Sequence, residues 1–539
     1  MPGKLKPPIV ILCGAGLSAE PPSNLPTAFS LRDRIVGELS EITSSHPLRA
    51  CQKAIEESEF PLEFLLEILV RRFGSQVLSC LEVLKSPIFN SSHAAIAELA
   101  RGGLVRAILT VNFDELIERA LDARGCVRGR DYAVHIGVPQ VLAPSAPVPI
   151  VKLHGTISDL DSLVATLQQV GGSRQRSDAI RRFFEGLGGS TYVITGYRGA
   201  DFDLQRGLAS MIRYRTGIWN TLDTSGLHTP LLQMIQGNVL WQHRTGPSSH
   251  LLRDIVDEFA LTAPVVPSSL GRAGAGSVTW HDSIDSTMRI KTITDITRHL
   301  GRLLETREVL VEYLGSTSGD GTLPLMLALA ETELGLDRPS EAHRAIEGAW
   351  YALGQLQVMR QVVGQERIEV EIVLARASWL WQYGDRQLSI GMLEQLLDDI
   401  ESGSAKATNH QTVRCLTHLA ERCAATGGAR RGLALAARAE GNAGTHLQLI
   451  GVCRRTSAAC FLELGEISRA INLLEKAMPD LIADHNGQMI ALGILTRCYL
   501  AKGQRNEARS VLDRYRAILG QTSHRVRAAD LKALESAVG

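Results

Sequence analysis

The sequence predicts an α/β domain with a Rossmann-like parallel sheet, followed by an all-α solenoid of helical repeats. Two sequence textures meet near residue 265. Before it, short β-rich runs alternate with amphipathic helical patterns, and beyond residue 285 the pattern is helical throughout. Alternating strands and helices are typical of a parallel sheet with covering helices. We therefore expect an α/β domain over residues 1–262, a linker over 263–284 and a repeat domain over 285–539.

The expected strands are short, and the first four are almost continuously apolar, as strands buried on both faces are. Strands are predicted at Ile9–Cys13, Ala107–Thr110, Pro149–Lys152, Thr191–Thr195 and Asn238–Trp241. Amphipathic helices are predicted at Ala28–Leu39, Pro61–Phe73, Glu115–Ala123, Asp201–Tyr214 and Leu251–Leu261.

The second half of the chain repeats a pattern in which a helix ends near a glycine and a second amphipathic helix follows. Residues 262–280 precede it; they are rich in Pro, Gly, Ser and Ala and lack helical periodicity, which is typical of a linker. The turn glycines recur at spacings of 49, 43, 38 and 38 residues, at Gly335, Gly384, Gly427, Gly465 and Gly503. One copy shows a clear apolar seam at helical spacing, formed by Ala458, Phe461, Leu464, Ala470, Ile471, Leu474 and Ala477.

This pattern resembles the tetratricopeptide repeat, although its spacing exceeds the roughly 34-residue period of that repeat. Such repeats stack into a superhelix with a concave binding face. The resemblance implies a surface that binds a partner, and an oligomerisation scaffold is an equally open interpretation.

Composition excludes several functional classes. Lys+Arg and Asp+Glu both total 57, so the formal net charge is zero and nucleic-acid binding is not indicated. The nine cysteines include no C-x-x-C pair, which favours buried free thiols in a reducing compartment over disulfides or a zinc ribbon. The apolar run Ile9–Leu12 is too short for a signal peptide, and no run is long enough for a membrane span. We expect a cytoplasmic protein without a membrane segment.

The first expected strand leads into a glycine-rich turn, Gly14–Ala19 (GAGLSA). Glycines at a strand end permit a tight turn and a close approach of the backbone to a pyrophosphate. The following segment, Glu20–Pro26, holds three prolines, and Asp33 lies inside an expected helix rather than after a second strand. The pattern therefore predicts a bound dinucleotide under a lid loop, but not a hydride-transfer enzyme.

Polar residues follow three further strands. These segments are Thr110–Asp114 (TVNFD), Lys152–Gly155 (KLHG) and Gly196–Asp201 (GYRGAD). The carboxyl ends of parallel strands are where open α/β sheets bind their ligands. Taken singly, each segment has a plainer interpretation: Asn112 as the N-cap of a helix starting at Phe113, His154 as a turn histidine, and Tyr197 and Asp201 as turn and N-cap residues.

In their order along the chain, the four motifs resemble those of the sirtuin superfamily, over roughly residues 5–260. The forms TVNFDELIE, KLHG and GYRGAD look most like the divergent bacterial branch, which is similar to NAD hydrolases of antiphage defence. The resemblance implies that NAD is the substrate.

The resemblance also implies roles for individual residues. Four would contact the phosphates of NAD and the adjoining ribose: Gly14, Ala15, Gly16 and Ser18. Asn112 would hold the nicotinamide ribose or a nearby water, and Asp114 would orient the loop on the nicotinamide side. His154 would act as general base on a ribose hydroxyl. Three residues would line the adenosine end: Gly196, Tyr197 and Asp201.

The sequence also departs from the deacylating sirtuins. Those enzymes carry a zinc module with four cysteines, whereas no cysteine lies between His154 and Thr191. The G-x-P-D-F-R segment of the family is missing as well. Peptide deacylation is therefore disfavoured and no metal is expected, because cleavage of the nicotinamide–ribose bond needs mainly orientation, a polar group near the ribose and a positioned water.

With these features, the resemblance implies an NAD+ glycohydrolase that produces nicotinamide and ADP-ribose and depletes NAD in bacterial antiphage defence by abortive infection. The repeats would regulate it by receiving a protein or phage-derived trigger, and the chain is expected to form a homo-oligomer. Two alternatives stay open. One is an NAD-dependent protein deacylase or ADP-ribosyltransferase, and the other is a non-catalytic nucleotide-binding scaffold.

Overall fold

A computed structural model of the chain describes residues 5–41, 45–138, 147–166, 169, 174–199, 201–223, 229–262, 280, 284–317, 320–358 and 365–539. The chain divides into two compact units, one formed by residues 1–32 and 62–280 and the other by 33–61 and 281–539. Residues 33–61 thus group with the second unit, although they lie inside the first expected domain. Nearly all of the expected linker, 263–284, lies outside the described residues.

The first unit is built on a parallel sheet, which confirms the predicted fold class. Among the described residues the sheet has seven strands in the order β3-β4-β2-β1-β5-β6-β7, and every pair is parallel. The strands are β1 Ile9–Cys13, β2 Val105–Thr110, β3 Tyr132–Ile136, β4 Val148–Lys152, β5 Thr191–Thr195, β6 Thr216–Thr221 and β7 Trp241–Thr245. The predictions for β1, β2, β4 and β5 are confirmed, with starts displaced by at most two residues.

The prediction of a fifth strand at Asn238–Trp241 was wrong. Residues 238–240 form a turn in which the Asn238 side chain accepts a hydrogen bond from the Leu240 N–H (3.0 Å) and donates one to the Ile212 carbonyl (2.6 Å). Val239 is fully exposed there, and β7 begins only at Trp241. The apolar residues Val239 and Leu240 therefore belong to a turn, and β7, which follows them, is a largely polar strand at the edge of the sheet.

The helices of the first unit cover the sheet, as the alternation of strands and helices predicted. They span Ala15–Ala19, Leu62–Phe73, Ser91–Arg101, Leu116–Ala123, Arg174–Gly186, Phe202–Tyr214, Thr229–Gln236 and Ser248–Glu258, with short 3-10 segments at Ser75–Leu84 and Leu160–Ser162. Both faces of β1 are buried. On one face Val10 and Leu12 share a hydrophobic core with Phe184, Leu208 and Trp219. The helix Ala28–Ser40 crosses the division between the units.

The second unit is helical wherever it is described. Its helices span His46–Glu56, Ser286–His299, Leu303–Ser316, Leu323–Gly335, Pro339–Val358, Gln365–Tyr383, Arg386–Ser402, Asn409–Ala425, Ala429–Ala443, Leu447–Glu463, Ile467–Asp480, His485–Ala501, Arg505–Leu519 and Arg525–Val538, with one 3-10 turn at Asp320–Thr322. Consecutive helices pack against each other as in a repeat array. Among the described residues, no helix is long and apolar enough to cross a membrane.

The predicted seam and turns of the repeats are confirmed. Ala458, Ala470 and Leu474 are fully buried in one core. Gly427, Gly465 and Gly503 adopt φ values of 87°, 76° and 72°, a left-handed conformation in which glycine ends a helix at little cost. The nine cysteines are free thiols, and all except the half-buried Cys126 are buried.

The register of the sheet decides which loops become neighbours. Thr110 at the end of β2 pairs with Lys152 at the end of β4 and with Cys13 at the end of β1, and Cys13 pairs with Thr195 at the end of β5. Four predicted motifs therefore start side by side at one edge of the sheet. The chain adds β2 on one side of β1 and later returns to add β5 on the other. This is the topological switch point at which open α/β sheets form a ligand crevice.

Candidate active site

The glycines of two neighbouring loops allow those loops to pack backbone against backbone. The Gly16 N–H donates a hydrogen bond to the Gly196 carbonyl (2.9 Å), and the Gly14 N–H donates one to Thr195 (3.2 Å). A Cβ atom on Gly14 would lie 2.6 Å from the Gly196 oxygen, and one on Gly196 would lie 2.3 Å from the Leu17 nitrogen. These glycines are therefore required by the contact between the loops that follow β1 and β5, whatever ligand the loops bind.

Ser18 is the centre of a buried hydrogen-bond network. Its hydroxyl donates to Asp114 Oδ2 (2.8 Å), lies 3.2 Å from His93 Nε2 and accepts from Asn112 Nδ2 (3.3 Å). Asn112 Nδ2 also donates to the Gly14 carbonyl (3.1 Å). Ser18, Asn112 and Asp114 are all buried. The network joins the glycine loop after β1 to the polar loop after β2, so the predicted residues of these two motifs form one unit.

Two further residues extend this network, Asn90 and His93. The sequence analysis did not identify them as part of the site. The Asn90 amide donates to the Leu17 carbonyl (2.7 Å) and the Glu20 carbonyl (3.0 Å), so it fixes both ends of the turn that contains Ser18. Asn90 and His93 also form a capping box at the start of the helix Ser91–Arg101. Burial lowers the pKa of His93 to about 4, so the ring is neutral. The Asn-x-x-His spacing predicts a cap, but not its contact with Ser18.

Asn112 is not a helix cap. The helix that follows begins at Leu116 with Glu115 at the N-cap position, and Asp114 Oδ1 accepts from the Leu116 N–H (3.1 Å). The plainer interpretation of Asn112 was therefore wrong, because three residues separate it from the helix. Its Oδ1 atom is buried and has no hydrogen-bond partner among the described residues. A buried amide oxygen without a partner is costly, and at a site it is an acceptor available to a ligand.

Asp114 orients its loop through two contacts. Besides capping Leu116, its carbonyl accepts a hydrogen bond from Lys152 Nζ, a fully buried ammonium at the end of β4. Lys152 also lies 3.3 Å from Glu118 Oε1. The lysine of the KLHG motif therefore holds the loop after β2 against the loop after β4.

His154 belongs to a buried cluster of charges. Its Nε2 atom lies 3.2 Å from Asp203 Oδ2, which also accepts from Arg176 Nε (2.9 Å). His154 and Asp203 are 5% and 2% exposed. Burial opposes the charged form of the ring, but the hydrogen bond and charge of Asp203 outweigh it and raise the pKa of His154. The ring is therefore partnered by a carboxylate rather than by backbone. Asp203 and Arg176 were missed by the sequence analysis.

The loop around His154 is tightly constrained. Gly155 has a φ of 90°, and a Cβ atom there would lie 2.3 Å from the Ser162 carbonyl oxygen. The His154 carbonyl accepts from the Val164 N–H (2.9 Å), and the Leu153 N–H donates to Thr110 (2.8 Å). The glycine of the motif is thus explained by the turn that carries the histidine.

Tyr197 packs into the core rather than lying open. Its ring stacks on Trp219 with centroids 6.1 Å apart, and its carbonyl accepts from Trp219 Nε1 (2.8 Å). Burial raises the pKa of Tyr197, and the nearby Asp201 carboxylate adds to the effect. Tyr197 therefore anchors the loop after β5 to the hydrophobic core through Trp219.

Asp201 occupies the N-cap position of the helix Phe202–Tyr214, but its side chain makes no capping hydrogen bond. Burial raises its pKa, although the charge of His154 acts in the opposite direction. Burial likewise raises the pKa of Glu63, and repulsion from Asp201 adds to it. Asp201 therefore lies at the His154 end of the site. Glu63, on the helix Leu62–Phe73, is a third acidic residue there that no motif indicated.

The proline-rich segment after the glycine loop is anchored at its start. Glu20 accepts a hydrogen bond from the Ser249 N–H (3.2 Å) and from the Ser248 N–H, so its carboxylate caps the helix Ser248–Glu258. Leu25 is buried, and its N–H donates to the Ser18 carbonyl (3.0 Å). This segment is the one expected to act as a lid, and that role stays a prediction. Among the described residues no group of three metal-ligand side chains is close enough to hold a metal ion.

Comparison with known proteins finds a family model that overlaps this part of the chain. Residues 106–218 match the family model described as a SIR2-like domain. The match runs from β2 into β6 and includes Asn112, His154 and Asp203, but not the glycine loop after β1. The predicted resemblance is thus confirmed as a sirtuin-like segment joined to helical repeats. No curated protein matched the chain.

Three solved structures show remote similarity. TPR-like repeats of a kinesin light chain type from Podosopora anserina are 19% identical, with 37% of this chain and 95% of that one covered and a TM-score of 0.27. A SIR2 homolog–NAD complex is 17% identical over 47% of this chain and 89% of that one, with a TM-score of 0.25. A STAND protein with a tetratricopeptide repeat sensor from Pyrococcus horikoshii is 11% identical over 99% and 91%, with a TM-score of 0.32.

Proposed function

We propose that this chain is an NAD+ glycohydrolase, which splits NAD+ into nicotinamide and ADP-ribose. One observation carries the proposal: Asn112 and His154 follow neighbouring strands at one sheet edge inside a SIR2-like segment. The Asn112 amide oxygen has no hydrogen-bond partner among the described residues, and His154 lies against Asp203. The resemblance of the four motifs to those of the sirtuin superfamily implies NAD as the substrate. NAD is therefore the ligand class to test first.

The chemistry suits these groups. Water attacks C1′ of the nicotinamide ribose, the C1′–N bond breaks, and nicotinamide leaves with the bonding electron pair. The released proton goes to a base and then to solvent. His154 is the base, acting on the ribose hydroxyl or on the water, and Asn112 Oδ1 accepts a hydrogen bond that orients the ribose or that water.

Acidic side chains favour this reaction because the sugar becomes cationic as the bond breaks. Asp203 stays ionised at that end of the site because His154 and Arg176 lower its pKa, whereas burial raises the pKa values of the neighbouring Asp201 and Glu63. Preorganised opposite charge stabilises a developing cation most effectively where water is excluded. We assign Asp201 to this end rather than to the adenosine end.

The remaining predicted residues have supporting or binding roles. The loop of Gly14, Ala15 and Gly16 binds the phosphates. The N–H groups of Gly14 and Gly16 already donate to Thr195 and Gly196, so these glycines act by letting the loop pack closely on Gly196 and Tyr197 of the loop after β5. Ser18 and Asp114 hold the geometry of the crevice through the buried network.

The biological role proposed is depletion of NAD in bacterial antiphage defence, by abortive infection. An unrestrained NAD hydrolase would empty the cofactor pool of its own cell, so basal activity must be low. The helical repeats are the element of the chain suited to receive a protein or phage-derived trigger, with self-assembly into a homo-oligomer as the means of activation. The cytoplasm, where NAD is abundant, is the compartment this role requires.

Product analysis tests the proposal. Purified full-length protein, at high concentration and over hours, is incubated with NAD+, and the products are identified by mass spectrometry. Equal amounts of nicotinamide and ADP-ribose are expected. His250 is an exposed histidine on the helix Ser248–Glu258, and its variant His250→Ala is the matched control for His154→Ala.

Three other outcomes would contradict hydrolysis. Nicotinamide release only with an acylated peptide would indicate a deacylase, and ADP-ribose found on protein would indicate a transferase. NAD+ binding by calorimetry without any product would indicate a nucleotide-binding scaffold.

A further inference from the structure

We propose that Asp203 is the positioning residue of this site, which holds the His154 ring by Nε2 and leaves Nδ1 as the nitrogen that takes the proton. This inference rests on the proposed role of His154 as general base. It names which ring nitrogen reacts and which buried side chains make that choice.

The His154 ring and the backbone that carries it are both held by neighbouring side chains. Asp203 Oδ2 lies 3.2 Å from His154 Nε2, and Asp203 is almost inaccessible to solvent. Arg176 links Asp203 to the backbone next to His154, because its Nε donates to the Asp203 carboxylate and its Nη2 donates to the Leu153 carbonyl. His154 Nδ1 makes no hydrogen bond with any described residue. The one ring nitrogen that is not held is therefore Nδ1.

The partner of Nε2 decides the tautomer. A neutral imidazole carries one N–H donor and one acceptor nitrogen, and a carboxylate only accepts. Nε2 therefore keeps the hydrogen when it faces Asp203, and Nδ1 carries the lone pair. Asp203 itself stays ionised, because burial raises its pKa less than His154 and Arg176 lower it. An acceptor fixed in this way is available without reorientation of the ring.

Among the described residues, four ionisable groups interact electrostatically with His154, and they lie on or at the start of three helices. Asp201 and Asp203 lie at the start of Phe202–Tyr214, Arg176 lies on Arg174–Gly186, and Glu63 lies on Leu62–Phe73. The two aspartates favour the protonated ring, whereas Arg176 disfavours it. Removing Asp203 and removing Arg176 must therefore shift the titration of His154 in opposite directions. General loss of structure at the site would not produce opposite shifts.

The test is NMR titration of the full-length protein carrying ¹⁵N-labelled histidine, with the His154 signals assigned by their loss in His154→Gln. In the wild type we expect an Nε2-protonated neutral ring and a pKa above the ordinary value of 6.5. Asp203→Asn should lower that pKa and release the tautomer preference, and Arg176→Gln should raise the pKa. Asp178→Asn, on the same helix as Arg176 but about a third exposed, is the control and should change neither.

An unchanged pKa and tautomer in Asp203→Asn, or a shift of the same sign in both variants, would overturn the proposal. Arg176→Gln keeps the test valid if Asp203→Asn does not fold, because Asp203 remains in place and the upward shift is still required. If the wild type turns over NAD+, Asp203→Asn should lower turnover at least about tenfold with little change in NAD+ affinity. A wild type that does not consume NAD+ would refute the proposed function, while the titration still decides the role of Asp203.

Discussion

Substituting Gly196 by alanine should destabilise the contact between the loops after β1 and β5 far more than the same change at Gly189. The two glycines form a matched pair because both adopt a left-handed conformation next to β5. Both glycines flank β5, Gly189 before it and Gly196 after it, with φ values of 76° and 65°. A left-handed conformation costs a non-glycine residue about 1–2 kcal/mol, so this part of the penalty is common to both variants. Only the surroundings of the added methyl group differ.

The difference follows from the space around each glycine. A Cβ atom at Gly189 meets nothing within 4 Å, whereas at Gly196 it lies 2.3 Å from the Leu17 nitrogen and 2.9 Å from the Gly16 carbonyl carbon. Inserting a methyl group into a packed contact costs about 1–3 kcal/mol in addition, because backbone must move. Gly196→Ala should therefore cost about 2–5 kcal/mol in total, against about 1–2 kcal/mol for Gly189→Ala.

Hydrogen exchange read by mass spectrometry measures this locally. Peptides that cover β1 and the turn containing Ser18 should exchange about 5- to 150-fold faster in Gly196→Ala than in Gly189→Ala, which corresponds to the extra 1–3 kcal/mol. NAD+ affinity should fall in the first variant only. Equal exchange in the two variants would refute the reasoning, and the glycines after β1 and β5 would then owe their presence to a ligand alone.

Three further predictions test other parts of the structure. His154→Ala should lower NAD+ turnover by about 10²–10⁴-fold, and Asn112→Ala should behave similarly, with folding checked by circular dichroism; near-normal NAD+ loss in both folded variants would remove them from the site. Because the pKa of His93 falls from 6.5 to about 4 on folding, its contribution to stability is complete above pH 6.5 and is lost as the pH falls towards 4. His93→Gln should reduce that acid-induced loss in urea titrations, and an identical pH dependence would contradict the assignment. Truncation after residue 262 should expose the buried face of the helix His46–Glu56, including Cys51 and Ile55, whose partners lie in Ser286–His299 and Leu303–Ser316. The fragment 1–262 should therefore associate or precipitate by light scattering, whereas a monodisperse fragment would show that residues 33–61 pack within the first unit.

Several parts of this protein were predictable from its sequence because their residue patterns depend on local surroundings alone. β1, β2, β4 and β5 were predictable because strands buried on both faces must be apolar along their whole length. The helical repeats and their turns were predictable because periodicity and left-handed glycines are local properties. The order of the four motifs was enough to recognise a sirtuin-like segment, and the matching family model covers the three motifs after β2, β4 and β5.

Contacts between side chains that are distant in sequence became known only from the folded structure. β3 and β7 lie at the sheet edges, where exposure removes the need for a continuous apolar run, and the sequence analysis identified neither strand over its observed range. Asp203 reaches His154 across 49 residues of sequence, and Ser18 reaches Asp114 across 96. Hydrogen bonds over such separations depend on strand register and helix packing, which no local pattern encodes. For the same reason the sequence identified the glycines after β1 and β5 as a motif, but the packing of one loop on the other showed why glycine is needed there.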